Sequence, residues 1–149
     1  MDCILRLQNN GSGVSNTFQS CGDGDLQELL KETIELSESD SRELEVYLKE
    51  SGVYLPPSPA ERSKADLEDI PAGAKFYDQE IGAKLSLDTA AGLAACSQAM
   101  GMAIREDIAM MFGQMHVKKA QLGLKALRLN KEKGWLIPPP LHLAVPEKD

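Results

Sequence analysis

Aromatic residues make up only 5% of this 149-residue chain. A β-sandwich draws on Tyr, Phe, Val and Thr, so that scarcity, beside plentiful Ala, Leu, Lys and Glu, favours helices. Long hydrophobic runs are lacking too. No stretch approaches the roughly 18 apolar residues that a membrane span needs, so no span is expected. Cysteine is limited to Cys3, Cys21 and Cys96. These form neither an even framework nor a CxxC pair, which makes the reducing cytosol the expected compartment. An excess of positive charge is missing as well: the net charge of −7 argues against generic nucleic-acid binding and against attachment to an anionic membrane. The opening MDCILRLQNNGSG has no signal-peptide core. No residue pattern specifies a reaction, and no enzyme activity and no cofactor are expected. What is present is ordinary globular material, 42% hydrophobic and 26% charged, with room for one domain.

The most informative feature is a near-repeat. Residues 49–57 read KESGVYLPP and residues 131–139 read KEKGWLIPP, with Lys, Glu, Gly and two prolines in register. Each is a helix stop. A basic last turn suits the helix dipole, Gly52 and Gly134 can take the left-handed conformation, and the prolines prevent resumption. Val53, Tyr54 and Leu55, like Trp135, Leu136 and Ile137, are expected to fold back on the apolar face just left. Two coincident C-caps would also give this pattern, but the register favours two related hairpins.

The spacing predicts a helix over 25–51, opened by Asp25 with Glu28 three residues on. Its stripe is Leu26, Leu30, Thr33, Ser37, Asp40, Leu44 and Tyr47, widened by Leu29, Leu36 and Leu48. Residues 74–103 carry Tyr77, Ile81, Leu85, Asp88, Gly92, Ala95, Ala99 and Met102 at the same spacing. Residues 105–133 carry Ile108, Met111, Phe112, Met115, Leu122, Ala126 and Leu129. Read as one helix, 74–133 would extend about 90 Å, too long for this globule, so a reversal is expected between Gly101 and Asp107. The proline-bounded stretch before residue 74 is too long for a tight turn and suits the crossover of a ferritin-like bundle. Residues 1–24, with GSG and CGDGD, hold no helix longer than about two turns, which leaves the bundle's N-terminal helix missing or vestigial.

KEKGWLIPPPLH at 131–142, IREDIAMMF at 104–112 and the paired KESGVYLPP stop resemble the ferritin-like domain-of-unknown-function family of endospore-forming bacteria, some of whose members are labelled spore-coat-like. The resemblance runs from about Leu26 to His142. It implies an all-α, ferritin-like up-down helical bundle with a long crossover, here with three long helices. It implies no established activity, and it brings sporulation, the spore coat and other spore proteins into view as setting and partners. The expected organisation is an irregular segment at 1–24, a bundle domain at 25–142 and a tail at 143–149.

Ferritin-like bundles can hold metals through inward carboxylates and Glu-x-x-His pairs. Neither His116, three residues after Gly113, nor His142, three after Pro139, completes such a pair. Asp40 and Asp88 nevertheless fall on apolar stripes, near Glu80, Gln114 and His116. An inward carboxylate must be paired, protonated or bound to a cation, so Asp40, Asp88 and His116 are candidate metal ligands. The plainer reading places them at the edge of the seam, bonded to neighbours or water. Likewise His142 reads as a tail residue, Cys96 as a small packing residue, Pro138–Pro140 as structural, and the methionines at 100, 102, 110, 111 and 115 as adaptable core filling or an adaptable surface.

Charge is split along the chain: residues 1–70 have 15 acids and 6 bases, residues 71–149 have 8 acids and 10 bases. Solvated faces, pairing between neighbouring helices or a docked partner could each follow. A bundle without its first helix would leave a groove lined by Leu29, Leu36, Ile81, Leu85, Met111 and Met115. Closure into a three-helix bundle, a strap from residues 1–24 or a second copy could cover it, and a homodimer or a poorly soluble monomer is expected. Two functions follow: a non-catalytic structural or interaction protein, sporulation-associated through the resemblance, or a metal- or small-ligand-binding bundle of oxidoreductase ancestry.

Overall fold

The computed structural model describes residues 21–54 and 76–136. Among these residues the structure is all helical: α1 spans Gly24–Glu50, α2 Asp78–Met102 and α3 Glu106–Glu132. No helix among them is long and apolar enough to cross a membrane. The three helices match the three stripes in the sequence, with shifted starts. The cap of α1 is Asp23 and not Asp25: its carboxylate accepts the Leu26 amide at 3.0 Å, leaving Asp25 as a first-turn acid that favours the dipole. At α2, four residues later than expected, Glu80 reaches back to accept the Tyr77 amide at 2.9 Å, the backward half of a capping box.

Both stops are Schellman motifs. Gly52 and Gly134 have φ of 71° and 69°. The Gly52 amide donates to Lys49 O at 3.1 Å and the Val53 amide to Leu48 O at 2.9 Å. At α3 the Gly134 amide donates to Lys131 O at 3.2 Å and the Trp135 amide to Asn130 O at 2.9 Å. Identical backbones nevertheless serve different ends. Trp135 packs on the core, as expected. Val53 and Tyr54 do not fold back; Tyr54 is 86% exposed, because the local motif directs the chain but supplies no apolar surface to receive the side chain. The Pro-Pro segments, His142 and residues 1–20 lie outside the described residues.

The reversal falls at Ala103–Arg105, inside the expected window. α2 and α3 form an antiparallel hairpin that is close because large side chains on one helix lie over glycines on the other. A Cβ on Gly92 would sit 3.2 Å from Lys119 Cδ, and one on Gly123 would sit 3.0 Å from Thr89 Cγ2. One on Gly82 would collide with Asn130 Oδ1, whose amide nitrogen donates to Gly82 O at 3.3 Å and Ser86 Oγ at 3.0 Å. α1 runs antiparallel to α3 and parallel to α2: Lys133 meets Asp23 and Asp25 at 2.7 and 2.6 Å, and the Gly22 amide donates to Asp78 at 2.9 Å. The end of α1 and the start of α2 thus lie at opposite ends of the bundle, as a crossover connection requires.

One core segment joins Leu26, Leu29 and Leu30 to Ile81, Leu85, Leu122, Ala126 and Cys21. A second joins Leu44 to Cys96, Met111, Phe112 and Met115. This corrects the expected open groove. Leu29, Ile81, Leu85, Met111 and Met115 are all buried, and Leu36 is partly so, because the stripes of the three helices face one another. Met111 and Met115 fill core as expected, whereas Met102 and Met110 are exposed.

Gly52→Ala and Gly134→Ala are each expected to destabilise the fold by about 1 kcal/mol, because Ala tolerates positive φ poorly. Denaturation midpoints in urea measure this; two unchanged midpoints would mean that the glycines do not set the helix ends.

Candidate functional site

Between the two apolar segments the core is polar. Asp40 sits on the inward stripe of α1 and is 1% exposed. Lys119 on α3 is 7% exposed, and its stem lies along Gly92, where α2 offers backbone only. Its Nζ stands 3.0 Å from Asp40 Oδ2, and the half-exposed Lys118 places its Nζ 3.7 Å from Oδ1. Among the described residues neither Asp40 oxygen receives a hydrogen bond. Lys119 is at contact distance but off the hydrogen-bond direction, so the pair is held by charge. An isolated carboxylate here would be untenable; two ammonium groups from adjacent positions of α3 supply the counter-charge.

The three candidate ligands are on three helices and are not brought together. Asp88 on α2 is half-buried and ion-paired with Lys84 at 2.6 Å, one turn away. His116 on α3 is half-buried, about 100° around the helix from the fully buried Met115. Among the described residues no group of three or more His, Cys, Asp or Glu side chains could hold a metal ion. Lys119 was missed in the sequence, where it was only one of the 10 bases of residues 71–149. Yet it occupies the stripe position between Met115 and Leu122, and a lysine there, with an aspartate on a facing stripe, was the available signal.

Charge complementarity continues along α1 and α3. Lys125 pairs with Glu32 at 2.5 Å, and Lys133 with Asp23 and Asp25. The acid-rich and base-rich segments therefore pair between neighbouring helices. At the far end, the Tyr47 hydroxyl donates to Asp107 at 3.0 Å, and Arg105 donates to both oxygens of Asp107 at 3.1 and 2.7 Å. The guanidinium also lies 5.3 Å from the Tyr47 ring centroid, a cation–π contact. Tyr47 and Asp107 border a shallow depression of about 430 Å³, lined also by Arg42, Glu43, Val46, Glu50 and Met111. Cys21, whose thiol burial pushes up to about 11, lacks the thiolate character of a nucleophile.

Breaking the buried pair on one side is expected to be costly. Lys119→Ala should destabilise by about 3–5 kcal/mol, since it strands a buried carboxylate, whereas the Asp40→Leu/Lys119→Met double variant should recover most of that loss. Chemical denaturation of the wild type and both variants reads the difference; a double variant no more stable than the single would show that charge is not what the site needs. The Asp107 carboxyl is held down to about 2, by hydrogen bonds from Arg105 first and Tyr47 second. Its contribution is therefore present above the ordinary value of 3.8 and lost as pH falls from about 4 through 2. Thermal melts between pH 5 and pH 2 should fall less steeply for Asp107→Asn than for the wild type, and parallel curves would remove Asp107 from the acid transition.

The family described as Protein of unknown function (DUF3231) matches residues 8–148. The chain is similar to the uncharacterised protein YvdQ of Bacillus subtilis (strain 168), with 56% identity over 122 residues, 82% of this chain and 72% of that one. It is also similar to a solved structure of a candidate spore coat protein from Bacillus halodurans C-125. There the TM-score is 0.84 at 44% identity, covering 96% of this chain and 94% of the other.

Proposed function

This chain belongs to the DUF3231 family, and from that premise we propose that it is a non-catalytic structural or interaction protein associated with the bacterial spore coat. The observation that carries the reading is the likeness to the B. halodurans protein over nearly the whole of both chains. The polar core supports the non-catalytic part. A ferritin-like bundle performs redox chemistry with inward carboxylates that bind metal; here the buried carboxylate is neutralised by a lysine of the chain itself. The ferritin-like reading of the fold rests on the parallel placement of α1 and α2, with the crossover that this placement demands.

Spore fractionation tests the assignment. In a sporulating Bacillus host expressing the chain from its native promoter, immunoblots should find it in coat extracts of purified spores and not in vegetative lysates. Detection in vegetative cells alone, with none in the coat extract, would overturn the assignment.

A further inference from the structure

α3 has a second apolar stripe, on the side away from the core. Met110, Gly113, Val117, Ala120, Leu124 and Leu127 recur at alternating spacings of three and four. That is the heptad seam of a helix built to meet another helix. It is not buried: Met110 is 65% exposed, Val117 56%, Leu124 47% and Leu127 40%. Ala120 is exposed as well. From Met110 to Leu127 the stripe runs about 26 Å at about 1.5 Å per residue. The neighbouring α2 extends it, with Leu87 at 70% exposure and exposed Ala90 and Ala94. Two helix widths of roughly 10 Å each give a footprint of about 500 Å² before surface relief is counted. That is at the upper end of what monomers expose, and of the order of the roughly 800 Å² per partner in a standard interface.

We propose that this outer face of α3 is a homodimer interface, in which α3 packs antiparallel against α3 of a second copy, with the two-fold axis passing between Val117 and Ala120. The sequence is self-complementary in that register. Ala120 receives Val117 of the second copy, Met110 meets Leu127, and Leu124 comes against Met100, the α2 side chain that lies over Gly113. At both ends of the seam the exposed Glu106 meets the exposed Lys131 of the second copy. On the flank Asp107 comes opposite Arg128, and Gln114 opposite Gln121. No like charges confront each other. A parallel pairing would set Glu106 against Glu106 and Lys131 against Lys131. An isologous two-fold contact is also the form that a single self-complementary patch dictates. The interface concerns the molecule in solution and does not depend on the spore-coat assignment, so either can fail without the other.

Light scattering after size exclusion, on the full chain at about 50 μM, tests the proposal. A dimer of twice the 16.2 kDa chain mass is expected. Val117→Glu and Leu124→Glu, both at exposed positions, should each yield a monomer with an unchanged helical circular dichroism spectrum. Glu106→Lys and Lys131→Glu should each weaken dimerisation by about tenfold, as attraction becomes repulsion at two symmetric sites, and the double reversal should restore it. A wild-type monomer at this concentration overturns the proposal. So does a dimer that survives both glutamate substitutions, and a double charge reversal no tighter than the single ones overturns the antiparallel register.

Discussion

Lys119 reaches Asp40 across a space that exists because Gly92 carries no side chain. A Cβ there would meet the lysine stem at 3.2 Å, tighter than most real contacts, and the stem would have to shift to make room. The rest of the bundle depends on this arrangement. α2 and α3 can approach closely because glycines accept the side chains opposite them, and their closeness aims Lys119 inward at α1. A helix interior glycine costs about 1 kcal/mol relative to alanine. The hairpin tolerates that cost at several places in return for contact between backbones.

The buried pair also bears on how α1 is aligned. Leucines along α1 would pack nearly as well if the helix slid by one heptad against α3. Such a slide would bring Thr33 or Tyr47 opposite Lys119, and would set Asp40 opposite Phe112 or Ala126, without the buried lysine that now faces it. The apolar contacts thus hold α1 against the hairpin, while the charge selects its register, a use for which buried polar groups in helical bundles are best attested. Outer pairs such as Glu32 with Lys125 follow the same register but contribute little individually, since water screens exposed pairs.

Much of this was legible in the sequence, for reasons that differ by element. Helix ends marked by Gly52 and Gly134 could be placed because a Schellman motif is local: glycine, basic last turn and proline suffice to specify it. The inward position of Asp40 was legible from its place in a stripe. Lys119 was not, because a lysine on an apolar stripe ordinarily lays its stem on the core and carries its charge to water. Only the distance to Asp40, a tertiary fact, shows that it does otherwise. The cap of α1 was misplaced by two residues, since Asp23 and Asp25 are equally good cap residues and Lys133 reaches both; only the carboxylate that takes the Leu26 amide, that of Asp23, shows which one caps. Tyr54 was misjudged for a related reason. The backbone turn that should have returned it to the core formed as expected, but a turn cannot supply the surface that only neighbouring helices provide.

The two stripes of α3 raise the question of why the inner one, and not the outer one, forms the core of the folded chain. Apolar content alone does not decide it, since Met110, Val117, Leu124 and Leu127 are as hydrophobic as Met111, Met115, Leu122 and Ala126. Partners decide it. Phe112 and Met115 meet Leu44 and Cys96, and Leu122 and Ala126 meet Leu26, Leu30, Ile81 and Leu85. On the inner side lies Lys119, the nearer of the two cations that face Asp40, so turning α3 to bury its outer stripe would expose Lys119 and strand the carboxylate. The outer stripe is therefore left facing away from the core by the electrostatic demand of the inner one. A polar group that contributes modestly to stability in this way fixes which apolar surface the bundle keeps and which it presents outward.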